Sequence, residues 1–293
     1  MDQSNSKSAS VPAADSLPPD IAALVAESET PQAGFFGPGS AMWTISRERV
    51  LLASGVSTVL LQVAHPLVAA GVAEHSDFEA SPSNRFRSTF DLVHAVIFGD
   101  VKTAVKAALE IRTRHERITG ILDSAVGPFS AKTRYAASDP DLLLWVHATL
   151  IEQALTAFET YIAPLPATTQ AAYYQECKVF GQLLGIPTEQ YPETLAGFFE
   201  YYDRMLETEL AVGAHGRDLY RTLASQWRAF EPLYTILAAG TLPDPVRDEF
   251  RLLWTPRRQR AFDAGATFSR AVVPSLPSRL RYVAAYRHAR ARV

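Results

Sequence analysis

The sequence predicts an all-α protein, and three observations carry that prediction. Glycine is scarce, 15 in 293 residues, while alanine and leucine are abundant. Apolar residues recur at three- and four-residue spacing through most of the chain, without a run of alternating apolar residues or a repeat at fixed period. Serine, asparagine, aspartate and proline stand where those periodic runs begin, and glycine or proline where they stop.

Taken in order, residues 1–33 are rich in serine, proline, alanine and acidic residues and read as a disordered tail with at most one helical turn near 21–26. The remaining 260 residues suit one large domain, taken as 34–277, followed by an arginine-rich helix over 278–293. GFFGPG at 34–39 is a loop. Residues 50–73 form 24 positions without formal charge, long enough to cross a bilayer. Gln62, His65 and Pro66 inside that stretch favour a central helix packed on all sides, broken near His65-Pro66. Helices follow over 85–98, over 100–119 behind an Asp100 cap, and over about 20 residues behind Asp139-Pro140. Further helices are expected over 167–184, within 192–213, and over 218–237, 245–254 and 257–270.

Composition narrows the chemistry. A net charge of −3 and a pI near 6.2 argue against a nucleic-acid partner. The single cysteine, Cys177, excludes an intrachain disulfide and a thiolate metal cluster. No charged segment followed by an apolar core opens the chain, so the expected location is cytoplasmic. Phosphate-binding glycine loops, a nucleophile elbow and the H-E-x-x-H zinc motif do not occur in the sequence.

Seven histidines remain as candidates. His115 lies on a helix face with Ala104, Ala107, Ala108 and Ile111. The small alanines leave room for a flat group, and Arg112, Arg114 and Arg117 could meet its carboxylates. An exposed histidine in a basic turn is the equal alternative. His147 in LLLWVHATL is either a satisfied core residue, a second polar group in a cavity, or a ligand itself. Arg85 and Thr89 are four apart on one helix face, suited to orienting dioxygen or a carbonyl, or simply a solvated helix start. Glu74 and His75 follow the uncharged stretch, and either could serve as a base at the mouth of a cavity, or belong to an ordinary charged loop.

The same residues carry a resemblance. LLQVAHPLVAAGVAEHSDF at 60–78, Arg85-x-x-x-Thr89, His115 and DPDLLLWVHATLIEQALTAFE at 139–159 resemble the bacterial branch of the mpaB/rubber-oxygenase family, over about 34–270. This resemblance implies a globin-like helical core that binds haem b through one proximal histidine, best matched by His115 with His147 in reserve. It implies a distal Arg85 and Thr89, with Ser88 where the rubber oxygenase has a lysine, and Glu74 as the nearest match to the family's base. The implied reaction is oxidation by dioxygen of a small apolar, isoprenoid or lipid, substrate. Two other classes stand beside it: a non-catalytic haem- or lipid-binding protein, and a helical scaffold whose basic C-terminal helix touches anionic lipid peripherally. Cys177, in a tyrosine-flanked helix, is not an expected haem ligand, which leaves histidine.

Overall fold

The computed structural model describes residues 17–75, 82–226 and 231–293, with the side chains of 82–86, 226, 231, 232 and 234 outside the description. Residues 1–16 of the expected tail therefore lie outside the described residues. From residue 17 onward the tail reading is corrected. Helix α1 (Pro19–Glu27) buries Ile21 and Leu24, three residues apart on one face, and Ile21 packs with Val101 and Val105. An apolar stripe this short is hard to see among prolines and serines, yet it suffices to dock a nine-residue helix. Gly34 (φ +82°) then passes so close to Gly99 that a Cβ would lie 2.2 Å from its carbonyl oxygen.

Helix α2 (Ala41–Ser46) is capped by Ser40, whose hydroxyl accepts from the Trp43 N–H at 3.0 Å. The uncharged stretch is three pieces rather than one helix. Arg49–Ser54 is a 3-10 turn, α3 spans Gly55–Ala64 and α4 spans Pro66–His75. Hydroxyls of Ser54 and Thr58 bond back to carbonyls one turn earlier, which favours the tighter opening turn. His65 is extended (φ −79°, ψ 121°), as expected of a residue before proline, and α4 leaves at 107° to the preceding segment. No single described helix is long and apolar enough to cross a membrane.

Helices α5 (Pro82–Phe98) and α6 (Val101–Glu116) form a hairpin, with the Asp100 carboxylate accepting from the Thr103 N–H at 2.8 Å. Helix α6 stops three residues before the expected end because 119–121 pairs as β1 (Thr119–Ile121) with β2 (Arg134–Ala136). This antiparallel ribbon, Gly120 opposite Tyr135, is too short to show alternation in the sequence. Helix α7 (Pro140–Tyr161) starts at the expected Asp139 cap. Then come α8 (Ala167–Leu183), α9 (Leu195–Thr208), α10 (Ala214–Gln226) and α11 (Glu231–Gly240). The helix expected over 218–237 is thus split between α10 and α11, with 227–230 outside the described residues. Helices α12 (Asp244–Glu249), α13 (Pro256–Val272), α14 (Ser278–Arg281) and α15 (Ala284–Arg292) complete the chain.

The centre is α3 and α7. Leu60, Leu61, Trp145 and Ile151 are fully buried there. One polar ladder crosses it. The Thr241 hydroxyl donates to Ser57 (2.8 Å), Ser57 donates to the Gln153 carbonyl oxygen (2.7 Å), and the Gln153 amide returns to the Thr241 carbonyl (2.9 Å). Every member of that closed ring is satisfied, which is the condition for tolerating it in a core.

The C-terminal segment is not one solvated helix. It breaks at Tyr282-Val283, where it pairs with residues 47 and 48, the Val283 N–H donating to the Arg47 carbonyl. Arg281 meets the buried Glu48 carboxylate through two bonds of 2.8 Å. Tyr286 packs edge-on against Trp43 and Phe98, and Arg292 donates to the carbonyls of Gln32 and Phe98.

Candidate active site

The α5–α6 hairpin sets the level of the candidate residues. Arg85 lies 13 residues before the end of α5, and residue 114 lies 13 residues after the start of α6. At about 1.5 Å per residue, both stand roughly 20 Å from the turn, so His115 is level with Arg85. Thr89 is one turn nearer the hairpin tip. It is exposed, and Ser88 beside it is half-buried. The Arg85 side chain lies outside the described residues.

Glu74 arrives at the same end on another element. It is exposed in the last turn of α4, and its carboxylate accepts from the Tyr135 hydroxyl at 2.7 Å. Burial and the adjoining Glu74 carboxylate push that phenol upward from its usual range, so it stays a donor. The ring of His75 meets Tyr135 edge-on at 6.4 Å. Ile118, whose N–H bonds to the His115 carbonyl, and Tyr135 both press on α4 at Gly71. Glu74, His115 and the Arg85 level of α5 therefore share one end of the fold. Tyr135 gave no signal in the sequence, being a lone aromatic in a three-residue strand.

His147 is placed differently. It is buried, its Nδ1 is 2.6 Å from the Tyr191 hydroxyl, and its ring stacks on Phe180 at 5.2 Å. Burial lowers its pKa to about 3, so the ring is neutral. Gly181 makes room for the pair, since a Cβ there would fall 1.7 Å from the Tyr191 hydroxyl oxygen. Its partners belong to α8 and the loop after it, and Tyr191, 44 residues away, could not have been paired with it from spacing. His65 is also buried and neutral, with a pKa lowered to about 4 by burial. Its Nδ1 accepts from the Leu67 N–H at 3.3 Å.

Two expectations about α6 change. Ala104, Ala107 and Ala108 are buried by protein, so the alanine face is not open to a flat ligand; Ile111 and His115, nearer the helix end, are half-buried. Arg112 is committed elsewhere, to Asp20 and to the carbonyls of Gln182 and Leu183 that end α8. Arg114 pairs with Glu110 one turn back on the surface. Cys177 is buried, and burial pushes its thiol up, which keeps it protonated. Among the described residues no three histidine, cysteine or carboxylate groups converge on a common point. Of the two candidate haem ligands, His115 stands half-buried at the end of α6, whereas His147 is buried in the core.

Two cavities among the described residues lie elsewhere. One of about 550 Å³ opens between α9, α10 and α12 over Ala64, and one of about 40 Å³ lies beside Pro66 and His215; neither is lined by Thr89, His115 or His147.

The described fold is a mostly helical body that brings His115, Glu74 and the Arg85 level of α5 to one end, a helical domain with polar candidates gathered at that end. The chain belongs to the family described as the ER-bound oxygenase mpaB/B′/rubber oxygenase catalytic domain, whose model matches residues 42–271. It is similar to an uncharacterized protein of Mycobacterium tuberculosis, 29% identical over 220 residues, covering 71% of this chain and 82% of the relative. An uncharacterized protein of Mycobacterium bovis is similar to the same extent. No solved structure matches the chain significantly. The domain is therefore of an oxygenase catalytic type, and α1 and the α14–α15 segment lie outside the matched region.

Proposed function

We propose that this chain is a haem-dependent oxygenase that uses dioxygen on a small apolar substrate, of isoprenoid or lipid type, at the α4–α5–α6 end of the fold. The observation that carries the reading is the hairpin register that sets His115 level with Arg85, with Glu74 held at the same end by Tyr135. His115 is the iron ligand in this account; His147, already bonded to Tyr191 and stacked on Phe180, is a core residue. When bound, haem iron supplies the binding and activation of dioxygen. The chain's own residues do the rest. Arg85 and Thr89, four apart on one helix face, present a cation and a hydroxyl that orient a polar oxygen. Glu74 Oε2 is held by Tyr135, leaving Oε1 to accept a proton from the substrate.

Oxygen uptake with isoprenoid substrates under reducing conditions tests the activity. Loss of uptake in Glu74→Gln and Arg85→Gln, with the haem spectrum retained, supports the assigned roles. Unchanged uptake in both refutes them. Ser88, in place of a cation, favours a second reading as a haem- or lipid-binding protein without turnover. Haem binding with no uptake on any isoprenoid or lipid tried selects it.

A further inference from the structure

The last 38 residues carry nine arginines against one acid, Asp263, in a chain whose net charge is −3. Among the described residues only Arg281 of the nine has a carboxylate partner. Helix α13 turns Phe262, Ala266 and Ser269 inward, against Gly240 and the Tyr161 carbonyl. Its opposite face is exposed and presents Arg257, Arg260, Ala264, Phe268 and Ala271. Phe268 is 69% exposed, and Leu280 on α14 is 58% exposed. The Arg281 guanidinium donates to the Pro274 carbonyl, which ties α14 to the turn that ends α13. Leu52, 43% exposed, stands on the 3-10 turn against which α14 packs.

Exposed Phe268, Leu280 and Leu52 thus stand on neighbouring elements, in a segment whose arginines other than Arg281 have no carboxylate partner among the described residues. Phosphate headgroups would neutralise the guanidinium groups while the apolar tips enter the interface. We propose that the α13–α14 face docks on an anionic lipid surface, with Phe268 and Leu280 as the inserting residues and Arg257 and Arg279 as headgroup contacts. The proposal is independent of the haem reading.

Flotation of the full chain with phosphatidylcholine vesicles, with and without phosphatidylglycerol, tests it. Binding is expected only with phosphatidylglycerol, weakening as salt rises. The pair Phe268→Ser and Leu280→Ser should weaken binding about tenfold or more. Arg257→Gln and Arg279→Gln should each weaken it about fivefold, equivalent to about 1 kcal/mol. All four positions are exposed, and an unchanged circular dichroism spectrum verifies the fold. The proposal is overturned by no flotation with anionic vesicles, or by flotation that none of the variants alters. Capture by duplex DNA but not vesicles, or self-association lost in Phe268→Ser without vesicle binding, overturns it equally.

Discussion

Replacing Arg281 by methionine removes the partner of a carboxylate that has no access to water. The Glu48 side chain is 0% exposed and Arg281 16%, and the pair is joined by two bonds of 2.8 Å. Stranding one member of a buried ion pair costs about 3–5 kcal/mol. Arg47 Nε, 3.5 Å from the same carboxylate, offers partial compensation and places Arg281→Met near the lower end, about 3 kcal/mol. At roughly 2 °C per kcal/mol for a chain of this size, the melting temperature should fall by about 6 °C. Removing both charges, Glu48→Leu with Arg281→Met, should recover most of that loss, because an apolar pair of similar volume has no desolvation to offset. Urea unfolding of the wild type, the two single variants and the double variant completes the cycle. A loss below about 1 kcal/mol in Arg281→Met, or strictly additive variants, would refute the reasoning that the strap is anchored by this pair.

The buried histidines make the fold acid-sensitive. His147, at about 3, and His65, at about 4, stay neutral in the folded chain, while the unfolded chain takes up protons near 6.5. Stability from this source is complete above that value and is lost as pH falls below it, by about 2 kcal/mol for each residue at pH 5. Urea midpoints at pH 8 and pH 5 read the difference, and equal stabilities would contradict it. Gly181→Ala should cost about 2–4 kcal/mol, because the new methyl must displace the Tyr191 hydroxyl from His147. Thermal melts should show the combination with Tyr191→Phe costing less than the sum; full additivity would mean that the hydrogen bond is not what the methyl disturbs. Tyr135→Phe should cost about 1 kcal/mol or less, since Glu74 is exposed, yet lower oxygen uptake by releasing that carboxylate from its position. Unchanged uptake would mean that the Tyr135 hydrogen bond does not position Glu74 for the chemistry.

What the sequence made legible was what local rules govern. The Asp100 and Asp139 caps, the break at His65-Pro66 and the helical character throughout depend on neighbours a few residues apart, and each is present. Long-range pairing was hidden. Nothing in 1–33 announces that Ile21 meets Val101 and Val105, and nothing in an arginine-rich terminus announces that Arg281 belongs to Glu48, 233 residues earlier. In the sequence the alanine face of α6 suggests room for a ligand, because small residues mark close approach without saying what approaches. Here it is protein. Candidate residues on one hairpin could be placed by counting along it, whereas Tyr135 and Tyr191 reach Glu74 and His147 from elements that only the fold brings near.

The central claim is that His115 ligates a haem iron. An absorption spectrum of protein expressed with ample haem and iron tests it most directly. The account predicts a Soret band in the wild type, lost in His115→Ala and kept in His147→Ala. Colourless protein that takes up no added haemin would contradict it, as would a band that survives His115→Ala.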